Sequence, residues 1–231
     1  MQHSGMLSLL KGLVVRGGIR PREPVAGLWR GIKMNLDLSS QAQLYFGLWE
    51  REVGRWVLRL GKGIGSAVDV GAGQGEYTLY FLLRSTAQTV LAVEPSAAER
   101  SSLEGNLRLN GLLAEPRLRL FKGRAAAVSA AGTARLDSLV SGAASPFLVK
   151  VDVDGGEVEV LDGALELLHR ADTRWVIETH AMELERECLA RFAAEGYQSR
   201  IVPNAWWRAL APERRPVEQN RWLVAWKGEL P

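Results

Sequence analysis

The chain predicts a doubly wound α/β fold with a mostly parallel sheet, and three observations carry that prediction. Apolar strand-like runs alternate with helical patterns over most of the 231 residues, which implies parallel strands covered on both faces. A glycine turn, Gly71-Ala72-Gly73-Gln74-Gly75, follows directly on the strand-like Ala67 to Val70, the arrangement that opens a nucleotide-binding half-fold. The last two strand-like runs are joined by a loop holding Pro203, Pro212 and Pro216 in place of a helix, so they read as an antiparallel hairpin with the last strand reversed.

Taken in order, Ile32, Met34, Leu36 and Leu38 alternate with Lys33, Asn35, Asp37 and Ser39, a period of two that predicts a half-buried strand over Ile32 to Leu38. Trp49, Val53, Trp56, Val57 and Leu60 share one helical face, with Glu50, Arg51 and Arg55 turned outward. Strands are then expected at Ala67 to Val70, Val90 to Glu94, Leu118 to Phe121, Phe147 to Val153, Trp175 to Glu178, Ser199 to Val202 and Trp222 to Trp226. The helix after the second of these opens on Pro95-Ser96 with Glu99 completing a capping box, and stops at Asn110-Gly111. The alanine-rich stretch Ala125 to Ala134 reads as helix or loop. One domain over residues 1–231 is expected, with 1–60 as a small strand-and-helix cap and 61–231 as a Rossmann-like core.

Composition narrows the function. With 47% apolar and 24% charged residues the chain builds one good-sized core. The net charge is only +3, with Lys and Arg scattered, which argues against a nucleic-acid partner despite a pI near 9.2. No apolar run reaches the roughly 18 residues of a membrane span, and Met6 to Val15 carries Lys11, so a cytoplasmic protein is expected. Lys11, Arg16, Arg20 and Arg22 with Leu9, Leu10, Val14 and Val15 can lie on an anionic membrane, although a plain extension is the simpler reading. Cys188 falls in a helical pattern with Leu184, Leu189 and Phe192, as a packing residue does.

The glycine turn has a specific chemical meaning. Glycines at alternate positions turn the backbone off a strand end and keep side chains away from a ligand. Glu94 lies at the end of the next strand, 23 residues after Gly71, where its two oxygens can accept both hydroxyls of a ribose. The third glycine comes one residue earlier than in the dinucleotide pattern, and Asp69 precedes the first by two. That spacing favours S-adenosylmethionine over a nicotinamide dinucleotide. The expected cofactor-binding residues are Asp69, Gly71, Ala72, Gly73, Gly75, Glu94 and Pro95. Adenine recognition is weakly marked, since Lys122-Gly123-Arg124-Ala125 follows the third strand where many methyltransferases place an acid.

Leu136-Asp137-Ser138-Leu139 and Val149-Lys150-Val151-Asp152-Val153-Asp154-Gly155-Gly156-Glu157 make a more specific pattern. Together with Gly47-Leu48-Trp49-Glu50, Glu94-Pro95, Asn106 and Asn110, they resemble the FkbM family of methyltransferases from about Gly47 to Trp226. Two positions depart from it: Gly73 stands where the family has asparagine, and Asp154 where it has glutamate. The resemblance implies a class I methyltransferase sheet of seven strands with the last antiparallel. It also implies methyl transfer from S-adenosylmethionine to a hydroxyl oxygen of a small molecule or sugar.

In such sheets ligands gather at the carboxyl ends of the strands, which selects Asp69, Glu94, Asp152, Asp154, Glu157, Glu178 and His180. Lys150, Asp152 and Asp154 are placed on one face of the fourth strand, an ion pair or an acceptor site. An alcohol acceptor must lose a proton, and His180 is the first candidate base, with Asp154 second. Asp152, Asp154, Glu178 and His180 form the expected catalytic set, and no metal is assigned, although a magnesium or manganese ion on these groups is a minor alternative. Trp206-Trp207 with Arg208, Arg214 and Arg215 can pack or stack on an acceptor. The rival readings are an RNA methyltransferase, a non-catalytic cofactor-binding protein and a nicotinamide oxidoreductase; acceptor and oligomeric state are not encoded in any motif.

Overall fold

A computed structural model describes residues 18–205 and 220–231. The loop motif Trp206-Trp207 with Arg208, Arg214 and Arg215, and the basic segment around Lys11 and Arg16, lie outside the described residues. The chain begins with β1 (Arg20–Arg22) paired antiparallel to β2 (Met34–Leu36), followed by α1 (Leu38–Tyr45) and α2 (Arg51–Leu60). The strand expected over Ile32 to Leu38 is therefore shorter. Asp37 ends it by capping α1, its carboxylate accepting the Ser39 N–H at 2.9 Å. The alternation survives in the burial of Ile32, Met34 and Leu36.

The remainder runs β3 (Ser66–Val70), α3 (Glu76–Arg84), β4 (Thr89–Val93), α4 (Ala97–Leu109), β5 (Leu118–Phe121), β6 (Arg124–Ala125), β7 (Thr133–Ala134), α5 (Leu136–Leu139), β8 (Phe147–Val151), α6 (Glu157–Asp162), α7 (Leu165–His169), β9 (Thr173–Thr179), α8 (Met182–Ala194), β10 (Gln198–Val202) and β11 (Arg221–Trp226). Seven strands form one sheet in the order β10-β11-β9-β8-β3-β4-β5. All pairings are parallel except those of β11, which is antiparallel to both neighbours. Insertion of β11 between β9 and β10 explains its apolar run. Trp222, Val224 and Trp226 enter the core on one side of the sheet, and Leu223 and Ala225 enter the core on the other. The more polar β10 is left at the edge, with Gln198 to Arg200 exposed. Cys188 is buried in the second core, which pushes its thiol up to about 12 and leaves it a packing residue.

Three local expectations change. The fourth strand stops at Val151, two residues short of Val153, so Asp152 and Asp154 sit on the turn beyond it and not on a strand face. Ala125 to Ala134 is neither helix nor simple loop, because its two ends pair as the parallel ladder β6–β7. Half of the capping box forms: the Ser96 hydroxyl accepts the Glu99 N–H at 3.3 Å, but the Ser96 N–H donates to Glu94 at 2.7 Å instead of to Glu99.

Residues noted only as part of the resemblance acquire structural roles. Asp137 is buried and accepts the Glu166 and Leu167 N–H groups, each at 3.1 Å, at the start of α7. Asn106 accepts the Asn35 N–H at 2.8 Å and donates to the Gln74 carbonyl at 2.9 Å. Asn110 exchanges two bonds with the backbone of Lys33, at 3.1 and 2.7 Å. The asparagines thus staple β2 and the glycine turn to α4. Asn106→Leu is expected to destabilise the protein by about 2–4 kcal/mol, since it strands a buried N–H and a carbonyl; urea unfolding of the two proteins measures it.

Candidate active site

Strand order reverses between β3 and β8, so a crevice opens where their carboxyl ends part. The glycine turn occupies that point. Gly71, Gly73 and Gly75 have φ of +75°, +52° and +92°, a left-handed backbone at alternate residues that explains the G-x-G-x-G spacing. Gly71 also lies against β8's end: a Cβ there would stand 1.8 Å from the Asp152 carbonyl oxygen. At Gly73 the nearest atom to such a Cβ is Glu76 Oε2 at 4.0 Å, so that face of the turn is open.

Glu94 follows β4 and is buried. One carboxylate oxygen accepts the Gly73 N–H at 2.8 Å and the other the Ser96 N–H at 2.7 Å, while Arg100 holds the Glu94 and Pro95 carbonyls at 2.8 and 2.6 Å. Each oxygen keeps a second lone pair for a ligand hydroxyl. A cavity of about 870 Å³ opens beside it, lined by Gly71, Gly73, Glu94, Pro95, Asp152 and Asp154 among others. That size suits a nucleoside cofactor with an acceptor beside it.

Beneath the turn, Asp69 is fully buried and accepts the Thr78 hydroxyl at 2.7 Å. Lys150 lies 3.4 Å from Asp69 and 3.5 Å from Asp152, donates to the Gly71 carbonyl at 3.2 Å and sits over the Tyr77 ring. Burial works against its charge, but Asp152 and Asp69 outweigh it and hold the ammonium above its ordinary pKa. Burial pushes the Asp69 carboxyl up, with Lys150 and Thr78 pulling against it. Tyr77 in turn donates to Glu50 at 2.7 Å. Glu50, expected to turn outward, is instead buried: it precedes α2 with a left-handed φ of +47°, which turns its side chain inward and brings the Gly47–Glu50 motif under the site.

On the far side of Asp152 stands His180, just past β9, with a side chain only 4% exposed. Its Nδ1 is 2.6 Å from Glu157 at the start of α6. Its Nε2 faces Asp152 and Asp154 at 3.6 Å and Glu178 at 3.8 Å. Burial disfavours the imidazolium, but the bond to Glu157 and the charges of Asp152 and Asp154 outweigh it and raise the pKa. Glu178 is buried, whereas the Asp154 side chain is 94% exposed.

Of the expected cofactor residues, Gly71, Gly73, Glu94 and Pro95 line the cavity, while Asp69 lies buried below the turn and Ala72 and Gly75 are buried behind its lining. Asp152, Asp154, Glu178 and His180 come together. Glu157 as the partner of His180 was not assigned, nor were Arg124, Thr133 and Glu159, which line the outer cavity. A carboxylate at the start of a helix after a strand-end turn was the available signal for Glu157; nothing local marks the others.

No family model matches the chain, and no curated protein matches its sequence. Solved structures do. A methyltransferase FkbM from Methylobacillus flagellatus superposes with a TM-score of 0.57 at 16% identity, covering 71% of this chain and 44% of that one. The fold is that of the class I methyltransferases. An rRNA methylase from Streptococcus thermophilus (TM-score 0.52, 13% identity, 78% and 98% covered) shares the same methyltransferase fold. So does a precorrin 8w decarboxylase from Methanobacterium thermoautotrophicum (0.53, 22%, 78% and 90%). The chain spans less than half the length of the FkbM protein. These proteins are named for different substrates, so the fold does not choose among them.

This chain also carries an acid at the first turn of α3. Glu76 is half-buried, and burial pushes its carboxyl from 4.5 up to about 7. A raised carboxyl stabilises the folded state fully below pH 4.5 and loses that contribution as pH rises through 7. Glu76→Gln, which has no proton to lose, is expected to gain in melting temperature relative to the parent between pH 5 and 8. Parallel melts across that range read the divergence.

Proposed function

We propose that this chain is an S-adenosylmethionine-dependent O-methyltransferase of FkbM type, acting on a hydroxyl of a small molecule or glycan. The observation that carries the reading is the shared position of Asp152. Its carbonyl packs against Gly71 in the cofactor turn, and its carboxylate faces His180 in the polar cluster. We read the Gly71–Glu94 side of the cavity as the nucleoside wall and its Asp152–Asp154 side, with the buried His180 directly behind it, as the proton-accepting wall. The resemblance at Gly47–Glu50, Asn106, Asn110 and Asp137 supports the FkbM assignment: Glu50 and the two asparagines brace the region of the glycine turn, and Asp137 caps α7.

When bound, S-adenosylmethionine supplies an electrophilic methyl on a sulfonium. The chain's own task is alignment and proton acceptance. Glu94 would accept the ribose hydroxyls, and the open face at Gly73 would leave room for the methionine end. Asp152 and Asp154 on the cavity wall would flank the acceptor hydroxyl, and His180 behind them, with Nδ1 against Glu157, would draw its proton through Nε2.

Calorimetry with S-adenosylmethionine and NAD, then transfer of labelled methyl to a panel of hydroxylated acceptors, tests the reading. The methyl donor is expected to bind and NAD not to. His180→Ala is expected to keep donor affinity within a few-fold while transfer falls by about 100-fold or more. Binding of NAD alone, or equal loss of donor affinity in His180→Ala and Glu94→Ala, would overturn it.

A further inference from the structure

The groups around His180 share a geometry that proton acceptance does not require. Ligand atoms of Asp152, Glu178 and His180, from the turn after β8 and the end of β9, lie within 4.8 Å of one another. Atoms bound about 2.1 Å from one octahedral ion are about 3.0 Å apart when adjacent and about 4.2 Å when opposite. The separations of His180 Nε2 from Asp152, 3.6 Å, and from Glu178, 3.8 Å, fall between these limits.

The imidazole is oriented for the purpose. Glu157 stands 2.6 Å from Nδ1, so the tautomer that is protonated there donates to Glu157 and leaves the lone pair on Nε2. That nitrogen is buried, makes no hydrogen bond and points at the carboxylates. A carboxylate behind a histidine whose other nitrogen faces acids is the arrangement that fixes metal-ligating imidazoles.

We propose that Asp152, Glu178 and His180 form a divalent-cation site, with Glu157 as the positioning residue behind His180. One imidazole and two carboxylates suit Mn²⁺ better than the purely oxygen-seeking Ca²⁺. The role of the ion rests on the methyl-transfer reading and reassigns its base: with Nε2 of His180 bound to the ion, the ion would hold the acceptor oxygen and the exposed Asp154 would take the proton in place of His180. Binding of the ion does not depend on that reading.

Chelator-treated protein is titrated with MnCl₂ and followed by electron paramagnetic resonance, with donor binding measured separately by calorimetry. One equivalent is expected to bind, at least tenfold more weakly in His180→Ala and Glu178→Gln, and Glu157→Gln is expected to fall between them and the parent. Crystals soaked in Mn²⁺ should show anomalous density at the three ligands, a readout that survives any folding defect in the variants. Absence of binding, density elsewhere or unchanged affinity in both ligand variants overturns the proposal. Donor binding without Mn²⁺ binding would overturn it and spare the methyltransferase reading; Mn²⁺ binding without donor binding would do the reverse.

Discussion

Gly71→Ala is expected to lose about 4 kcal/mol or more of stability, from a left-handed backbone that alanine resists and from overpacking. The added carbon would meet the Asp152 carbonyl oxygen at 1.8 Å. That carbonyl cannot retreat, because the Asp152 N–H donates to the Val70 carbonyl at 2.9 Å and ties the turn to β3. A loss of that size consumes much of the roughly 5–15 kcal/mol of a typical domain, so the variant should be unfolded or aggregated at 37 °C in the cell. The same change at Gly73 has a different outcome. Its φ of +52° costs about 1–2 kcal/mol for alanine, but the nearest atom is 4.0 Å away, so the protein should fold and only the cofactor should feel the methyl. Gly73→Asn should cost less still, since asparagine tolerates this conformation. Urea titration of the three variants orders them, and a Gly71→Ala protein as stable as the parent would show that β8 and the turn are not locked together.

Glu94→Ala is expected to weaken S-adenosylmethionine on the order of 100-fold or more, the loss of two charge-assisted hydrogen bonds to a ribose at about 1.5–3 kcal/mol each. Stability should change far less. The Gly73 and Ser96 N–H groups that Glu94 accepts lie at the edge of an open cavity, where water can replace the carboxylate. Calorimetry for affinity and thermal melts for folding separate the two effects. Glu94→Gln, which keeps an acceptor but no charge, should fall between. An affinity unchanged in Glu94→Ala would remove the nucleoside wall from the crevice.

How far the site could be read beforehand depended on whether a residue's partner was near in sequence. The glycine turn announces itself because three left-handed residues in a row of five need glycine whatever surrounds them. The capping role of Ser96 is local in the same way, and so is the Asn110-Gly111 stop. The reciprocal half of the capping box was not legible, since Glu94 outcompetes Glu99 for the Ser96 N–H from the end of a different element. The strand end at β8 misled for a related reason. Alternation through Asp154 looked like a strand face, whereas the Asp152 N–H bonding to β3 marks the point where the chain leaves the sheet.

The sequence alone determined the α/β class, the parallel strands and the antiparallel last one, because burial on two faces and period-two alternation are written residue by residue. Tertiary structure alone decided that β11 slots between β9 and β10, that Asn106 ties the amino-terminal strand to the glycine turn while Asn110 holds the strand's approach to α4, and that Glu157, 23 residues from His180, sets its ring. Those contacts join segments far apart in the chain, and their strength comes from burial that exists only once the sheet has closed around them.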